Sequence, residues 1–268
     1  MIRSYLFVPG NRPERFGKAA ACGAGAVIVD LEDSVPPAEE RTARAAVCSW
    51  MRETDGAAWV RVNGTETEFF EDDLRALAGM PLLGLVLPKA ESADELRRVA
   101  AILGARPMPV IPIIESAVGL WKALEIAQGP RTARLAFGSA DFQLDTGIRG
   151  EDEALLLARS QLVFASRIAR VAPPIDGITV QIDDTVQLER DVAHARSLGF
   201  GAKLCVHPVQ IAAVERAFAP GEDEIRWARA VVDAYERAAG SAVRLDGKLI
   251  DLPVIDRARQ LLDSVVAK

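Results

Sequence analysis

Short apolar segments alternate with stretches of helical periodicity along most of the chain. The apolar segments are rich in Val, Ile, Leu and Phe, and residues with apolar positions three and four apart follow each of them. Such alternation is typical of parallel strands that are joined by helices. The predicted strands are 4–9, 26–32, 59–63, 84–89, 109–115, 134–139, 178–181 and 203–208.

The stretches between these strands predict eight helices. Eight strand–helix units in about 220 residues fit an α/β fold of the closed (β/α)8 TIM barrel type. An open doubly wound sheet is the alternative, but the glycine-rich turn that usually follows its first strand is missing. A barrel catalytic domain is expected at 1–220, and a C-terminal helix with a tail at 221–268. The predicted helices are 13–22, 38–52, 68–78, 92–103, 117–127, 151–171, 187–198, 209–218 and, beyond the barrel, 222–239.

Composition narrows the possible partners. Half of the 268 residues are hydrophobic and the net charge is −6, which disfavours nucleic acid as the main partner. Cys22, Cys48 and Cys205 form no paired motif, so neither a disulfide framework nor a zinc site is expected, and their small number fits a reducing cytoplasm. No apolar run reaches the length of about 20 residues that a membrane helix needs, and no signal peptide is recognisable. We therefore expect a cytoplasmic protein without a membrane partner.

Charged and polar residues stand at the carboxyl end of nearly every predicted strand. In a (β/α)8 barrel these ends surround the active site. A buried strand that ends in Glu115 is explained if the carboxylate opens into a shared polar cleft, because burying an unpaired charge is costly. The end groups, in chain order, are 9–12, 30–33, 61–63, Lys89, Glu115, 139–141, Gln181 and His207.

Glu115 and Asp141 follow adjacent predicted strands, so their carboxylates can converge on one cation. Two carboxylates with water and substrate oxygens form a typical Mg²⁺ site, and two histidines are too few for a histidine-rich metal site. Arg61 offers its guanidinium to a substrate carboxylate. A metal and an arginine can hold a 2-oxo acid and stabilise an enolate, which indicates carbon–carbon bond chemistry beside a carbonyl. Alternatively, both acids pair with Arg61 and Lys89 in a structural network.

Four more charged residues at the strand ends are open to two interpretations each. Asp30, Glu32 and Asp33 either support the residues that bind the ligand or cap the N-terminus of a helix. Lys89 is expected to form a salt bridge with these acids rather than a Schiff base with a substrate.

Three basic residues are also open to two interpretations. His207 either contacts a ligand or only caps the barrel. Arg12 and Lys18 fall on the first loop and helix, where they are either solvated or bind phosphate groups together.

Seven segments resemble, in this order, one known family: "RSYLFVPGNRPERFGKA", "VIVDLEDSV", "WVRVNG", "LVLPKAES", "IPIIESAVGL", "FGSADFQLDTG" and "GAKLCVHPVQI". They are similar to the citrate lyase beta-subunit-like group of the HpcH/HpaI aldolase family, which includes malyl-CoA and citramalyl-CoA lyases. The resemblance covers nearly the whole chain. It implies a (β/α)8 barrel, dependence on Mg²⁺, and homotrimers or hexamers.

The resemblance also assigns roles to individual residues of the barrel. The motifs "IIES" and "GSAD" imply that Glu115 and Asp141 bind the metal and that Ala140 lies with them at the substrate. The motif "RVNG" implies that Arg61 binds the carboxylate and carbonyl of the substrate and acts in catalysis.

Coenzyme A contacts are implied at both ends of the barrel sequence. The motif "FVPGNRPERFGK" implies contacts from Phe7, Arg12 and Lys18. The motif "VHP" implies further contacts near Val206 and His207.

The tail, 240–268, carries an apolar pattern of its own. Its segment "GKLIDLPVIDRA" resembles the lid of the family, which implies that Asp251 is a catalytic residue in the site of a neighbouring subunit. Alternatively, 248–267 is an amphipathic helix docked on its own barrel, with Asp251 as the N-cap.

The sequence thus predicts a Mg²⁺-dependent lyase that cleaves a 3-hydroxy dicarboxylic acyl-CoA, such as malyl-CoA or citramalyl-CoA, into a 2-oxo acid and acetyl-CoA, or forms it. One alternative is the citryl-acyl-carrier-protein lyase subunit of a citrate lyase complex. An alternative of another class is a non-catalytic barrel that binds an acyl-CoA.

Overall fold

A computed structural model describes residues 2–54, 58–238, 241–245 and 247–266. The chain forms two compact units, one of residues 2–215 and the other from Arg216 onward.

Eight parallel strands close into a barrel in chain order, with β1 paired to both β2 and β8. This confirms the predicted (β/α)8 TIM barrel. All strands but β7 are buried throughout or nearly so, which explains why they are almost continuously apolar in sequence. The strands are β1 Ser4–Pro9, β2 Ala26–Asp30, β3 Trp59–Arg61, β4 Gly84–Leu87, β5 Val110–Ile114, β6 Arg134–Phe137, β7 Ala172–Asp176 and β8 Ala202–Cys205.

Helices follow each strand along the chain. The capping box predicted at Ser92 and Glu95 is present at the start of α4 and fixes where that helix begins. The segment predicted as one helix at 117–127 is two short helices. The helices are α1 Phe16–Ala20, α2 Glu40–Glu53, α3 Phe70–Leu77, α4 Ala93–Leu103, α5 Ala117–Trp121, α6 Ala123–Ala127, α7 Ser139–Thr146, α8 Leu156–Ala169, α9 Thr185–Leu198 and α10 Ile211–Phe218.

The prediction for the seventh strand was wrong. Residues 178–181 lie in the loop after β7, so Gln181 does not end a strand. The true strand contains Pro173 and Pro174, which lack the N–H groups of a regular ladder. Its register against β6 shifts between the pairs Arg134–Ala172 and Ala136–Ile175, so the strand is irregular where the prolines lie.

A second difference lies after β6. Helix α7 begins at Ser139, directly at the end of the strand, where the sequence predicted only a polar strand end. The helix predicted at 151–171 begins later, as α8 at Leu156. Asp141 therefore lies in the first turn of a helix and not in a loop.

The interior of the barrel is filled by large apolar side chains from most of the strands. Ile28, Trp59, Val86 and Ile111 are among the residues of this core. Gly84 is required next to Trp59, because a Cβ atom at that position would lie 2.3 Å from the indole ring. The barrel is thus a packed core, and room for a ligand is left only at its rim.

The unit from Arg216 onward is built from two helices and a hairpin. These are α11 Glu222–Arg237, the antiparallel strands β9 Val243–Leu245 and β10 Lys248–Ile250, and α12 Leu252–Val266. Val231, Ile250 and Ile255 belong to its own small core. The sequence did not predict the hairpin. Across the described residues, no helix has both the length and the apolar character needed to cross a membrane.

Candidate active site

A cavity of about 330 Å³ lies at the carboxyl ends of the barrel strands. Asp30 ends β2, Arg61 ends β3, Glu115 follows β5 and Asp141 lies just after β6, so four strands bring charged groups to one place. Parallel strands make this convergence unavoidable, because all their carboxyl ends lie on the same rim. The lining residues are Phe7, Pro9, Asp30, Asp33, Ser34, Arg61, Ile113, Glu115, Phe137, Gly138, Ser139, Ala140, Asp141, Ile178, Leu204 and Val206.

Arg61 is buried and held chiefly by Asp30. Its Nε and Nη2 atoms donate to the two carboxylate oxygens of Asp30 at 2.6 and 2.8 Å. Its Nη1 atom donates to Asp33 at 3.2 Å, and the guanidinium lies 4.7 Å above the ring of Phe7. Burial by itself would raise the pKa of Asp30, but the charge and hydrogen bonds of Arg61 outweigh it and hold that pKa below its usual value.

This geometry limits what Arg61 can offer a substrate. The Nε edge of the guanidinium, which would bind a carboxylate with two parallel hydrogen bonds, is already engaged by Asp30. A ligand in the cavity can accept hydrogen bonds from Arg61 only through the guanidinium N–H groups that are not already bonded to Asp30 or Asp33. Asp30 therefore fixes the orientation of the guanidinium.

Lys89 joins the acids on the β2 and β5 sides of the site. Its ammonium is hydrogen-bonded to Glu32 and lies 3.6 Å from Asp33. Burial lowers the pKa of Lys89, but the hydrogen bond to Glu32 outweighs it, and the net shift is upward. The amine stays protonated, as expected for a salt-bridge partner and not for a Schiff base.

The charged form of Glu32 lies in an unfavourable environment. Its Oε2 atom lies 3.0 Å from Nη1 of Arg61, yet it is buried without a well-formed hydrogen bond. Burial, helped by the charge of Asp33, raises the pKa of Glu32 despite the opposing effects of Arg61 and Lys89. Neither Glu32 nor Lys89 lines the cavity, so both act on the residues that do.

Glu115 is buried, and its Oε1 atom accepts the backbone N–H of Lys89 at 2.5 Å. Lys89 adopts a left-handed φ of +49°, which is costly for a residue with a side chain and sets the direction of this N–H. Burial, together with the charges of Glu32 and Asp141, raises the pKa of Glu115 to about 8, against the hydrogen bond from Lys89 and the charge of Arg61. A cation beside this carboxyl group would offset both the cost of burying its charge and the repulsion from the nearby carboxylates.

Gly138 makes room for the Glu115 carboxylate. A Cβ atom at this position would lie 2.3 Å from Oε2 and 2.6 Å from Cβ of Glu115. The motif "FGSAD" thus supplies both the space for one carboxylate and, three residues later, a second one in Asp141.

Two carboxylates facing a cavity are a suitable donor set for Mg²⁺, which keeps several of its water ligands. Within the described residues, no three His, Cys, Asp or Glu side chains are arranged to hold a metal ion together. Glu115 and Asp141 therefore fit a cation that takes its other ligands from water and substrate. The pKa of Glu115 is raised mainly by burial and further by the charges of Glu32 and Asp141, so a cation at this position would favour the ionised carboxylate.

The residues predicted to contact coenzyme A divide into two groups. Phe7 and Val206 line the cavity, whereas Arg12, Lys18 and His207 do not. Arg12 is exposed and lies 3.1 Å from Glu14. Lys18 is exposed on α1.

His207 caps the short 3₁₀ helix Pro208–Gln210. Its Nδ1 atom accepts the backbone N–H of Val209 at 3.3 Å. Both interpretations of His207, contact with coenzyme A and capping of the barrel, stay predictions.

Asp251 lies in the second unit, directly before α12. Its carbonyl oxygen accepts the backbone N–H groups of Val254 and Ile255 at 3.1 and 3.0 Å, which is the geometry of an N-cap position. Its catalytic role stays a prediction.

Sequence reasoning missed Ser34 as part of the site. Its backbone N–H donates to Asp30 at 3.1 Å, and the residue lines the cavity. The signal was present in the segment "DLEDSV", where a serine follows the acidic cluster. Ser34 thus helps to hold Asp30, which in turn fixes Arg61.

The barrel and its rim define an α/β-barrel enzyme with an acidic, cation-compatible active site. The model of the HpcH/HpaI aldolase/citrate lyase family matches residues 3–208, and the chain belongs to this family. The family is described by its aldolases and citrate lyases, which makes the chain a lyase-type enzyme.

Three known proteins illustrate the relationship. A citrate lyase subunit beta-like protein of Deinococcus radiodurans is 37% identical, over 98% of this chain and 96% of the relative. A (3S)-malyl-CoA thioesterase of Cereibacter sphaeroides is 32% identical, over 97% of this chain and 93% of the relative. The crystal structure of CitE from Mycobacterium tuberculosis, in complex with magnesium, acetoacetate and coenzyme A, has a TM-score of 0.85 and 34% identity, and covers 97% of each chain.

Proposed function

We propose that this protein is a Mg²⁺-dependent carbon–carbon lyase acting on a 3-hydroxy dicarboxylic acyl-CoA such as malyl-CoA or citramalyl-CoA. The observation that carries the proposal is the pair Glu115 and Asp141, which share one cavity with Arg61. The relative CitE binds magnesium, acetoacetate and coenzyme A together, which supports the same combination here.

The reaction follows from the charges around the cavity. Glu115 and Asp141 would hold Mg²⁺, which supplies Lewis-acid polarisation of the substrate oxygens when it is bound. A general base takes up the proton of the substrate hydroxyl group, whose oxygen becomes the keto oxygen of a 2-oxo acid. The adjacent carbon–carbon bond breaks and leaves a thioester enolate.

Arg61 stabilises the negative charge that develops as the bond breaks, because its guanidinium is fixed in place by Asp30 before the substrate arrives. The enolate then takes up a proton and becomes acetyl-CoA. We assign this proton transfer to Asp251, supplied by a neighbouring subunit of a homotrimer or hexamer. Ala140 lies beside Asp141 on the cavity wall and contacts the substrate.

Coenzyme A is assigned to the β1 and β8 side of the rim. Phe7 and Val206 offer apolar contacts in the cavity. Arg12 and Lys18 are exposed cations that would meet the phosphates, and His207 lies close in sequence to Val206. A cytoplasmic location fits a CoA substrate.

A citrate lyase beta subunit that acts on a carrier protein is the second enzyme candidate, because a relative is named as citrate lyase subunit beta-like. It shares the cleavage chemistry and differs in the carrier of the acyl group. A non-catalytic acyl-CoA-binding barrel has no use for the buried carboxylate of Glu115, whose burial costs free energy.

The experiment that tests the proposal is one set of assays with purified protein, malyl-CoA, citramalyl-CoA and citrate, each with and without EDTA. We expect EDTA-sensitive release of a 2-oxo acid and acetyl-CoA from one of the CoA thioesters. Release of free CoA and an intact hydroxy diacid would instead indicate a thioesterase. No turnover of either thioester with Mg²⁺ present would contradict the proposal.

A further inference from the structure

A second polar cavity lies in the barrel unit, beside the candidate active site. Its volume is about 430 Å³, and it is bordered by α8, α9 and the loop that follows β7. Ile178 lines both cavities, so they are neighbours with a common wall. None of the residues assigned to Mg²⁺, substrate or coenzyme A lines the second one.

The floor of this cavity contains two cations and one anion. Asp176 accepts hydrogen bonds from Nε of Arg159 at 2.9 Å and from Nζ of Lys203 at 3.0 Å. Lys203 also donates to the carbonyl of Gly177 at 2.6 Å. All three charged side chains are more than nine-tenths buried, so the group carries a net positive charge out of water, which is costly.

Two buried nitrogen atoms of this cavity have no hydrogen-bond partner among the described residues. They are Nη1 of Arg159 and Nε2 of His194, and both residues line the cavity. A guanidinium donor buried without an acceptor costs free energy comparable to a lost charged hydrogen bond. The structure therefore leaves a place for an acceptor group that the described residues do not supply.

Three of the acidic residues that line the cavity have partners in the described part of the chain. Asp191 accepts from Thr179 and from the side-chain amide of Gln187, each at 2.6 Å. Asp184 accepts the backbone N–H of Gln187 at 2.9 Å, and Asp152 pairs with Arg190. These acids lie around the floor group and accept hydrogen bonds, so they favour a ligand that also carries donor groups.

We propose that this second cavity binds a small hydroxycarboxylate with a single carboxylate group. The carboxylate accepts from Nη1 of Arg159 and from Nε2 of His194, while the hydroxyl groups donate to Asp184 and Asp191. The cavity is larger than the roughly 30 Å³ that one water occupies and lies within the range of metabolite pockets. A second carboxylate on the ligand would meet the acidic residues and weaken binding.

Isothermal titration calorimetry with glycerate tests this proposal on the full-length protein with Mg²⁺. Glycerate has one carboxylate and two hydroxyl groups. We expect saturable binding that is about tenfold weaker in Arg159→Lys, which keeps the charge beside Asp176 but removes Nη1, and in His194→Phe. Arg167→Lys is the matched control, because it makes the same change at an exposed position of the same helix, and it should bind as wild type does.

Two further measurements distinguish glycerate binding in the second cavity from binding in the active site and from a cavity that holds only water. Glu115→Gln should bind glycerate as tightly as wild type, and malate should bind the second cavity more weakly than glycerate. The absence of saturable binding would mean that water alone satisfies Arg159 and would overturn the proposal. Binding that is lost in Glu115→Gln, or unchanged in both cavity variants, would overturn it too. The outcome is independent of the proposed lyase reaction, and near-ultraviolet circular dichroism checks that each variant is folded.

Discussion

We expect Glu115 to couple metal binding to pH. Its pKa lies at about 8 in the metal-free protein, because burial and the nearby carboxylates disfavour the charged form. Mg²⁺ must displace this proton, so its affinity should rise about tenfold for each pH unit below 8 and level off above it. Calorimetric titration with Mg²⁺ between pH 6 and 9, in buffers of different ionisation enthalpy, measures both the affinity and the released proton. A flat profile would remove Glu115 from the metal site.

The same pKa predicts that the free energy of unfolding of the metal-free protein falls as the pH rises, whereas Mg²⁺ affinity increases. Glu115 holds its proton more tightly in the folded protein than in the unfolded chain, where the pKa is 4.5. The resulting stabilisation is fully present below pH 4.5 and is lost as the pH rises through about 8. In Glu115→Gln this loss is absent, so the variant should gain stability relative to wild type with increasing pH in EDTA. Denaturant unfolding of both proteins across this pH range measures the difference.

Arg61 should tolerate no substitution by lysine. Lysine keeps the charge but cannot bond both oxygens of Asp30 and still present donors to the cavity. We expect Arg61→Lys to lower kcat/KM by about 100-fold, the usual effect of removing a donor that stabilises developing charge. Steady-state kinetics of the Mg²⁺-loaded variant measure this effect. Rates near those of wild type would show that Arg61 serves only as a counter-charge.

Residue types at the rim could be predicted from the sequence, but their contacts could not. Asp30, Arg61, Glu115 and Asp141 stand at or directly after the ends of apolar strands, and such positions meet at the rim of any parallel barrel. That Arg61 is already engaged by Asp30 depends on side-chain distances between β2 and β3, for which the sequence has no local signal.

At the scale of the element, the strand β7 shows where prediction from local pattern fails. The segment "APPID" has two prolines and is typical of a loop, whereas "ITVQ" has the β-branched composition of a strand. In the structure the side chain of Arg134 donates to the carbonyl of Pro173 at 2.9 Å, so a contact from the neighbouring strand supports the irregular ladder. Tertiary contacts overrode local propensity here.

The end of β6 is shaped to hold Glu115. We expect Gly138→Ala to weaken Mg²⁺ binding strongly, because the new methyl group would lie 2.3 Å from the Glu115 carboxylate and displace it. The φ of Gly138 is −88°, so space and not backbone strain decides the outcome. Gly64→Ala is the matched control, since a Cβ atom added there would meet nothing within 4 Å. Mg²⁺ titrations of the two variants should differ, and equal affinities would contradict the tight fit.

At the scale of the molecule, the barrel was predictable because eight alternations leave few other topologies. The hairpin β9–β10 was not, because its strands are only three residues each, which is too short for a recognisable alternation of apolar and polar residues. Short edge elements of this kind are defined by what they pack against, and Ile250 packs in the core with Val231 and Ile255.

We expect the protein to self-associate through the outer face of α8, which carries exposed apolar side chains. Phe164 and Ile168 lie four residues apart on one helical face and are 65% and 61% exposed. Two large apolar side chains that are exposed side by side are stabilised when another surface covers them. Because a homo-oligomer is predicted, we expect that surface to belong to a second copy of the chain. Phe164→Glu with Ile168→Glu should lower the oligomeric state in analytical ultracentrifugation.

Val186→Glu is the control for this prediction, because Val186 is a single exposed apolar residue on α9, 79% accessible. It should leave the sedimentation coefficient unchanged. If the double variant sediments as wild type does, then α8 is not part of the subunit interface.

The proposed lyase chemistry depends most on Glu115 and Asp141 acting together as the metal-binding pair. The most direct test measures acetyl-CoA release from malyl-CoA and citramalyl-CoA at saturating Mg²⁺ in wild type, Glu115→Gln, Asp141→Asn and the exposed control Glu153→Gln. We expect turnover in wild type and in the control, and only background release in folded Glu115→Gln and Asp141→Asn. Release at the wild-type rate in either of these two variants would contradict the assignment.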